Sequence, residues 1–410
     1  MRTLERSRER IEHAIAELSG PDYTASPAGI TRHAWIPEYE RTLGWFEDAF
    51  AELGYATWYD PVGTFVASNR EPGAPCLGIG SHCDANRNGG PYDGTLGVVV
   101  ALEVARLAAD EGLDLPLRVL SFLEEEGSGF DSGLLGSRVM LGAISTEELE
   151  ALTDDTGTGF FDAARAAGHD PERHAESARE LDGMLAWMEL HIEQARALED
   201  AGLQIGVVDA ITGMIHADLE IAGRADHAGG TPMELRSDAV VTAAEIVVEL
   251  DALARAAPGV VGTVGSITAF PGLINVIPGG AALTLDVRSA SGPHEEVFDR
   301  IVAFARERGA VRGQEVVVRE RTRVARTPMD PHVVAVLEAA ADALGAPYAT
   351  MASGAGHDTM LVARRVPSAM VFVPCRDGIS HAPDEHADPA DAALAGHVML
   401  DALTRLWDDR

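Results

Sequence analysis

Apolar residues at Leu4, Ile11, Ile15 and Leu18 fall on one face of a 3.6-residue period, which predicts an amphipathic helix over 4–18. Residues 45–53 continue in helical style. Beyond Gly54 the period shortens, and the apolar runs 63–67 and 76–81, bounded by Gly and Pro, read as strands. Residues 96–109 read as a helix packed on a sheet. The continuous apolar run 117–123 is of the kind found in strands covered on both faces. Residues 145–181 are polar helical and loop material, and 184–193 returns to strand. From 211 the style changes to strand 215–222, helix 238–256, strands 260–269 and 281–287, helix 295–308 and strand 315–321. That β-α-β-β-α-β order is the split ferredoxin-like pattern. It ends at the proline-marked stretch 326–331, and helix 332–344, strand 369–373 and helix 389–407 resume the earlier style. The expected architecture is an α/β core, residues 1–210 and 328–410, interrupted by an inserted α+β ferredoxin-like domain at 211–327.

Composition narrows the function. Apolar residues make up 46% of the 410 and charged ones 24%, a globular balance. Acidic side chains number 65 against 32 basic, a net charge of −33. Such a field repels phosphate backbones and anionic membranes, so neither nucleic acid nor membrane is an expected partner. All the basic residues are Arg, and the lack of Lys excludes Schiff-base chemistry and the P-loop lysine. The acidity suggests a salt-loaded interior where counterions screen self-repulsion. Three cysteines (Cys76, Cys83, Cys375) give no disulfide framework. The charged opening Met1–Arg6 lacks the apolar run of a secretory signal, so a cytoplasmic location is expected.

Candidate chemistry gathers where strands end. Gly80-Ser81-His82-Cys83-Asp84 closes a strand, the place where open α/β sheets bind ligands. Alternation puts His82 and Asp84 on one side, so Asp84 is positioned to brace the far nitrogen of a metal-bound His82. The glycine-rich turn 88–94 delivers Asp93 just ahead of a helix. Glu124-Glu125-Glu126 follows a buried strand directly; read as extended, its neighbouring carboxylates diverge, one toward metal and one toward substrate. His191 lies in an alternating strand and His381 just before the last helix. The turn Gly354–Asp358 offers backbone N–H groups to a ligand. His82, Asp93, one of Glu124–Glu126, His191 and His381 together make the three-histidine, two-carboxylate set that two adjacent divalent ions require.

At this point the chain resembles the carbamoylase-type amidases of the M20 metallopeptidase-like superfamily. The resemblance rests on Gly80–Asp84, Gly89–Gly94, Glu124–Ser128, Glu189–Gln194, His227–Met233, Asn275–Pro278, Ser353–Asp358 and Ser380–Glu385, in family order over nearly the whole length. It implies a di-metal aminopeptidase-like core and an inserted domain serving as lid and homodimer interface. It implies two divalent ions per subunit (Zn, Mn, Co or Ni), with His82 and His191 on one, Glu126 and His381 on the other, and Asp93 between. Glu125 is then the general base. His227, Asn275 and Arg288 on the lid, with Gln194 and Gly356 on the core, are the implied substrate contacts; Arg288 takes the substrate carboxylate, and His227 stabilises the oxyanion. Departures from the family's usual residues fall on the substrate side, at Pro91-Tyr92, Gly129, Ala195 and Ala387. The implied activity is hydrolysis of a small ureido substrate, with N-carbamoyl-L-amino acids ahead of allantoate and carbamoyl-β-alanine. An M20 aminoacylase or dipeptidase, or an inactive metal-binding scaffold, stands further behind.

Overall fold

The computed structural model describes residues 2–410, which divide into two compact units. One comprises everything described up to Asp209, together with Met329–Met351 and Ala355–Arg410. The other is Ala210–Pro328 with Ala352–Gly354.

A nine-stranded mixed sheet runs through the larger unit, its edge strand Thr327–Pro328 closing the main segment of the smaller one. From one side its strands run Thr327–Pro328, Ile205–Ile211, Ser368–Val373, Met184–Ile192, Cys76–His82, Leu117–Phe122, Phe65–Ser68 and Ala56–Tyr59, and Tyr348–Ser353 also pairs with Ile205–Ile211. The four strands from Ser368–Val373 to Leu117–Phe122 are mutually parallel. They are buried almost throughout, as a sheet covered on both faces must be. Helices Arg2–Leu18, Thr95–Asp110, Pro331–Leu344 and Pro389–Asp408 pack together on one face. Leu135–Met140 and Thr359–Val362 contribute to a second apolar cluster around Trp187, Phe122 and Leu120. Because all four parallel strands point the same way, their carboxyl ends deliver His82, the 124–126 loop, His191 and the approach to His381 to one rim of the sheet.

Several expected bounds move. The helix expected at 45–53 spans Pro37–Glu52, because Pro37 starts it at the first turn and Tyr39, Leu43, Phe46 and Phe50 supply a buried stripe. Strand 117–123 ends at Phe122, since Glu124 takes a left-handed backbone with φ 53°. Ile205–Ile211 and Tyr348–Ser353 are strands the apolar pattern did not mark; Gly206 and Asp209 interrupt the first.

The smaller unit is a four-stranded antiparallel sheet in the order Val260–Phe270, Gly280–Ser289, Gly213–Ala222, Glu315–Val324. Helices Ala239–Ala256 and His294–Val311 cover one face. Strict alternation does the sorting: Ile215, Ala217, Leu219, Ile221, Leu283 and Leu285 point into the helices, while His216, Asp218, Asp286 and Arg288 point to the other face. No helix among the described residues is long and apolar enough to cross a membrane.

Candidate metal centre and active site

Asp93 is the geometric centre of the rim. Its Oδ1 lies 3.5 Å from His82 Nε2 and 3.2 Å from His191 Nε2. Its Oδ2 lies 3.4 Å from His381 Nε2, and that same nitrogen is 3.4 Å from Glu126 Oε2. Two groups result, His82–Asp93–His191 and Asp93–Glu126–His381, each with ligand atoms within 4.8 Å of one another. One carboxylate thus presents an oxygen to each group.

The histidine tautomers bear on what these groups hold. His82 Nδ1 lies 3.2 Å from the Asp84 carbonyl and 3.3 Å from its carboxylate, and His191 Nδ1 lies 3.0 Å from the Ile192 carbonyl. A carbonyl oxygen only accepts, so both Nδ1 atoms carry the proton in the neutral ring and both Nε2 lone pairs face Asp93. His82 Nε2 is buried with no hydrogen-bond partner. Two lone pairs aimed at a buried carboxylate repel it unless a cation lies between, and this donor set fits a divalent ion.

Glu125 stands beside this pair of groups rather than in either. Its Oε2 is 3.7 Å from His82 Nε2. Burial pushes its carboxyl well above the usual carboxylate range, against the pull of His82. Glu126 is pushed up to about 7 by burial and by Asp93. His381 is raised to about 9 by its hydrogen bond to Asp93, although burial opposes it.

Asp84 does more than hold His82: its two oxygens accept the backbone N–H of Glu125 at 3.1 Å and of Glu126 at 2.9 Å. The 124–126 segment is not extended as expected. Glu124 turns inward at positive φ, accepts the Ala34 N–H at 2.8 Å and the Gly129 N–H, and is raised to about 7 by burial and Asp84. It anchors a loop, leaving Glu125 and Glu126 to face the cluster. The turn carrying Asp93 needs glycine: Gly94 has φ 61°, and a Cβ there would stand 2.3 Å from the His82 ring.

Of the expected substrate contacts, Gln194 lies on the rim, its amide nitrogen 2.8 Å from Asp93 Oδ2 and 3.2 Å from His381 Nε2. Gly356 is half-buried in the turn before His357, whose buried ring packs on His191 with centroids 4.5 Å apart. The others belong to the smaller unit. His227 is exposed, and its Nδ1 accepts the N–H groups of Gly229 and Gly230, both at 3.0 Å, leaving Nε2 as the donor. The exposed Asn275 accepts the Ala228 N–H at 3.0 Å through its backbone carbonyl. Arg288 gives Nε to Asp286 at 2.8 Å and an NH2 to His216 at 3.2 Å.

Residues 80–405 match peptidase family M20/M25/M40. The chain is 38% identical over 407 residues to an N-carbamoyl-L-amino-acid amidohydrolase of Paenarthrobacter aurescens, covering 97% of this chain and 98% of that one. A Geobacillus stearothermophilus protein of the same description is 34% identical, with 97% and 98% covered. A hydantoinase/carbamoylase-family amidase from Burkholderia multivorans superposes with a TM-score of 0.86 at 30% identity, 97% of each chain covered. The chain belongs to the carbamoylase-type amidases of peptidase family M20.

Two positioning residues of this amidase lie outside the expected set of site residues. Glu385 Oε1 accepts the backbone N–H of Tyr92 at 2.8 Å and of Asp93 at 2.9 Å, while its Oε2 takes the His381 N–H at 3.2 Å. It therefore holds the Asp93 and His381 loops together, and Gly90 makes room for it, since a Cβ there would lie 2.3 Å from its side chain. Asn86 donates to Glu126 Oε2 at 2.7 Å and aims that carboxylate. The Ser380–Glu385 spacing was the one available signal for Glu385; Asn86 had none.

Proposed function

We propose that the protein is a hydrolase of carbon–nitrogen bonds other than peptide bonds, acting on the ureido group of an N-carbamoyl-L-amino acid to release the amino acid, ammonia and carbon dioxide. The observation that carries this reading is Asp93, with one oxygen toward each of two histidine-bearing groups and the unattached Glu125 beside them. His82 and His191 would hold one divalent ion, Glu126 and His381 the other, with Asp93 shared; zinc, manganese, cobalt and nickel all suit these donors. Ions bound there would supply Lewis acidity toward the ureido oxygen and acidify the attacking water. Glu125, beside both groups with its Oε2 3.7 Å from His82 Nε2, takes the proton from that water and returns it to the leaving nitrogen. His227 donates from Nε2 to the developing oxyanion. Arg288, oriented by Asp286, grips the substrate carboxylate through its remaining N–H groups. Gln194, Asn275 and the Gly356 turn hold the rest of the molecule.

Ammonia release from carbamoyl amino acids, carbamoyl-β-alanine and allantoate, set against release of free amino acid from acyl amino acids and dipeptides, tests the reading. Fastest turnover on an L-carbamoyl amino acid is expected; activity confined to dipeptides or acyl amino acids overturns it.

The inserted domain, residues 211–327, serves in this proposal as lid and homodimer interface. Val260–Phe270 supports it as a long sheet-edge strand with Val261, Ile267 and Phe270 exposed. His227 of each protomer then completes its neighbour's site. Inactive His227→Ala and Glu125→Gln homodimers, once reassorted in equal amounts, make half the dimers mixed with one intact site each. Recovery of about a quarter of wild-type activity is expected. No recovery after exchange is verified by mass overturns the shared site.

A further inference from the structure

The segment before the matched family span contains a fully buried cation, Arg32. Among the described residues its guanidinium has no carboxylate partner, and its N–H groups go to neutral oxygens. Nε donates to the Cys83 carbonyl at 2.7 Å and an NH2 to Thr95 Oγ1 at 2.7 Å. The remaining nitrogen reaches Thr42 Oγ1 at 3.1 Å and the carbonyls of Leu18 at 3.2 Å and Tyr23 at 3.4 Å. A guanidinium stays charged in such a place, so burying it is costly unless its donors are well satisfied.

Two of those acceptors flank the ligands. Cys83 sits between His82 and Asp84, and Thr95 opens the helix just after the Asp93-Gly94 turn, its N–H on the Asp93 carbonyl at 2.5 Å. The planar fork spans both: Nε fixes the backbone leaving His82, and NH2 fixes the turn that delivers Asp93. The backbone adds a second stitch, since Ile30–Arg32 pairs antiparallel with Ala85–Gly89, the stretch joining the two ligand loops. Lys has neither the planar fork nor the number of donors to replace this.

We propose that Arg32 is a positioning residue for the His82–Asp93–His191 group, clamping the two ligand-bearing loops at the separation a divalent ion requires. This inference rests on the ligand reading above. Loss of such outer supports lowers metal affinity by about 10–100-fold in general, and the same is expected here.

The test is a zinc titration of the full-length apo protein against a competing chelator, resolving two binding steps, with melting temperature measured in parallel. Arg32→Met should weaken by about 10–100-fold the step that His82→Ala abolishes, and weaken the step that His381→Ala abolishes distinctly less. Thr95→Val removes one acceptor with little change of shape, and should weaken the same step to a smaller degree. If Arg32→Met does not fold, Thr95→Val decides the matter alone. A lower melting temperature with both zinc steps unchanged, or both steps weakened equally, overturns the clamp. If His82→Ala abolishes neither step, the ligand reading itself fails; if it abolishes one that Arg32→Met and Thr95→Val leave intact, only the clamp does.

Discussion

The insert's open sheet and helix surfaces and the larger unit's buried rim treat carboxylate side chains in opposite ways. In the smaller unit Glu245 lies between Arg308 and Arg312, whose hydrogen bonds pull it down to about 2, and Asp218 and Glu220 have Arg321 and Arg319. In the larger unit, Asp84, Asp93, Glu124, Glu125 and Glu126 crowd one buried rim, and none forms an ion pair with an Arg among the described residues. Arg32 comes near but spends its donors on neutral oxygens. Arginine neutralises permanently, so a cluster kept free of it retains negative charge for a cation that can leave and a proton that can move. The larger unit also pairs Arg with carboxylates away from this rim, as Arg10 with Glu103 and Arg365 with Asp182; such pairing supports folding, and its omission at the rim supports chemistry.

The sharpest way to break this contrast is Glu125→Gln. Turnover should fall by about 10²–10⁴-fold with zinc still bound, because the amide cannot accept the proton. Activity near wild type would mean that the unpaired carboxylates are not chemical.

Asp60 sharpens the contrast from outside the cluster. It is fully buried, accepts the N–H groups of Val62 and Thr64, and is raised to about 6 by burial. A carboxyl whose folded pKa lies above its unfolded value costs stability as pH rises from about 4 to 6, and the cost persists above that. Asp60→Asn keeps the accepting oxygen and should stabilise the protein at pH 8, by of the order of 2 kcal/mol, while giving no gain at pH 3. Equal effects at both pH values in chemical denaturation would discount burial as the cause.

Molar KCl acts on the whole −33 field. If surface repulsion dominates, the melting temperature should climb by about 1 °C for each kcal/mol relieved in a chain of this length. A flat or falling curve would show the acidity to be ordinary solubility charge.

The smallest expected effect is Glu245→Gln. Its depressed pKa adds stability present above pH 4.5 and lost as pH falls toward 2. The site is partly open to solvent, so about 1 kcal/mol at pH 7 is expected, with none below pH 2. A loss that persists at pH 2 would point to packing instead.

Apolar periodicity made the α/β layering and the antiparallel insert legible, and ligand-type residues at strand ends marked where chemistry belongs. Single roles within Glu124–Glu126 were harder, because three identical residues differ only in backbone: Glu124 turns inward at positive φ to reach Ala34, ninety residues away in sequence. Asn86 and Arg32 act through groups far along the chain, and no local pattern announces such partners; Glu385 is marked only as the end of the Ser380–Glu385 motif, which does not show that it reaches back to Tyr92 and Asp93. Ile205–Ile211 escaped notice because Gly206 and Asp209 break its apolar run, although its neighbours bury it.

The placement of Ser368–Val373 between Met184–Ile192 and Ile205–Ile211 matters while the chain is being made. Both flanking strands leave the ribosome long before the strand that joins them, by roughly 10–30 s at ordinary elongation rates. Through that interval the buried parallel part of the sheet has an open slot with two unpaired edges, while the insert, a compact unit with a core of its own, can already collapse. A nascent or truncated chain ending before Ser368 therefore displays the kind of template that captures stray strands, and it is the species that chaperones must shield.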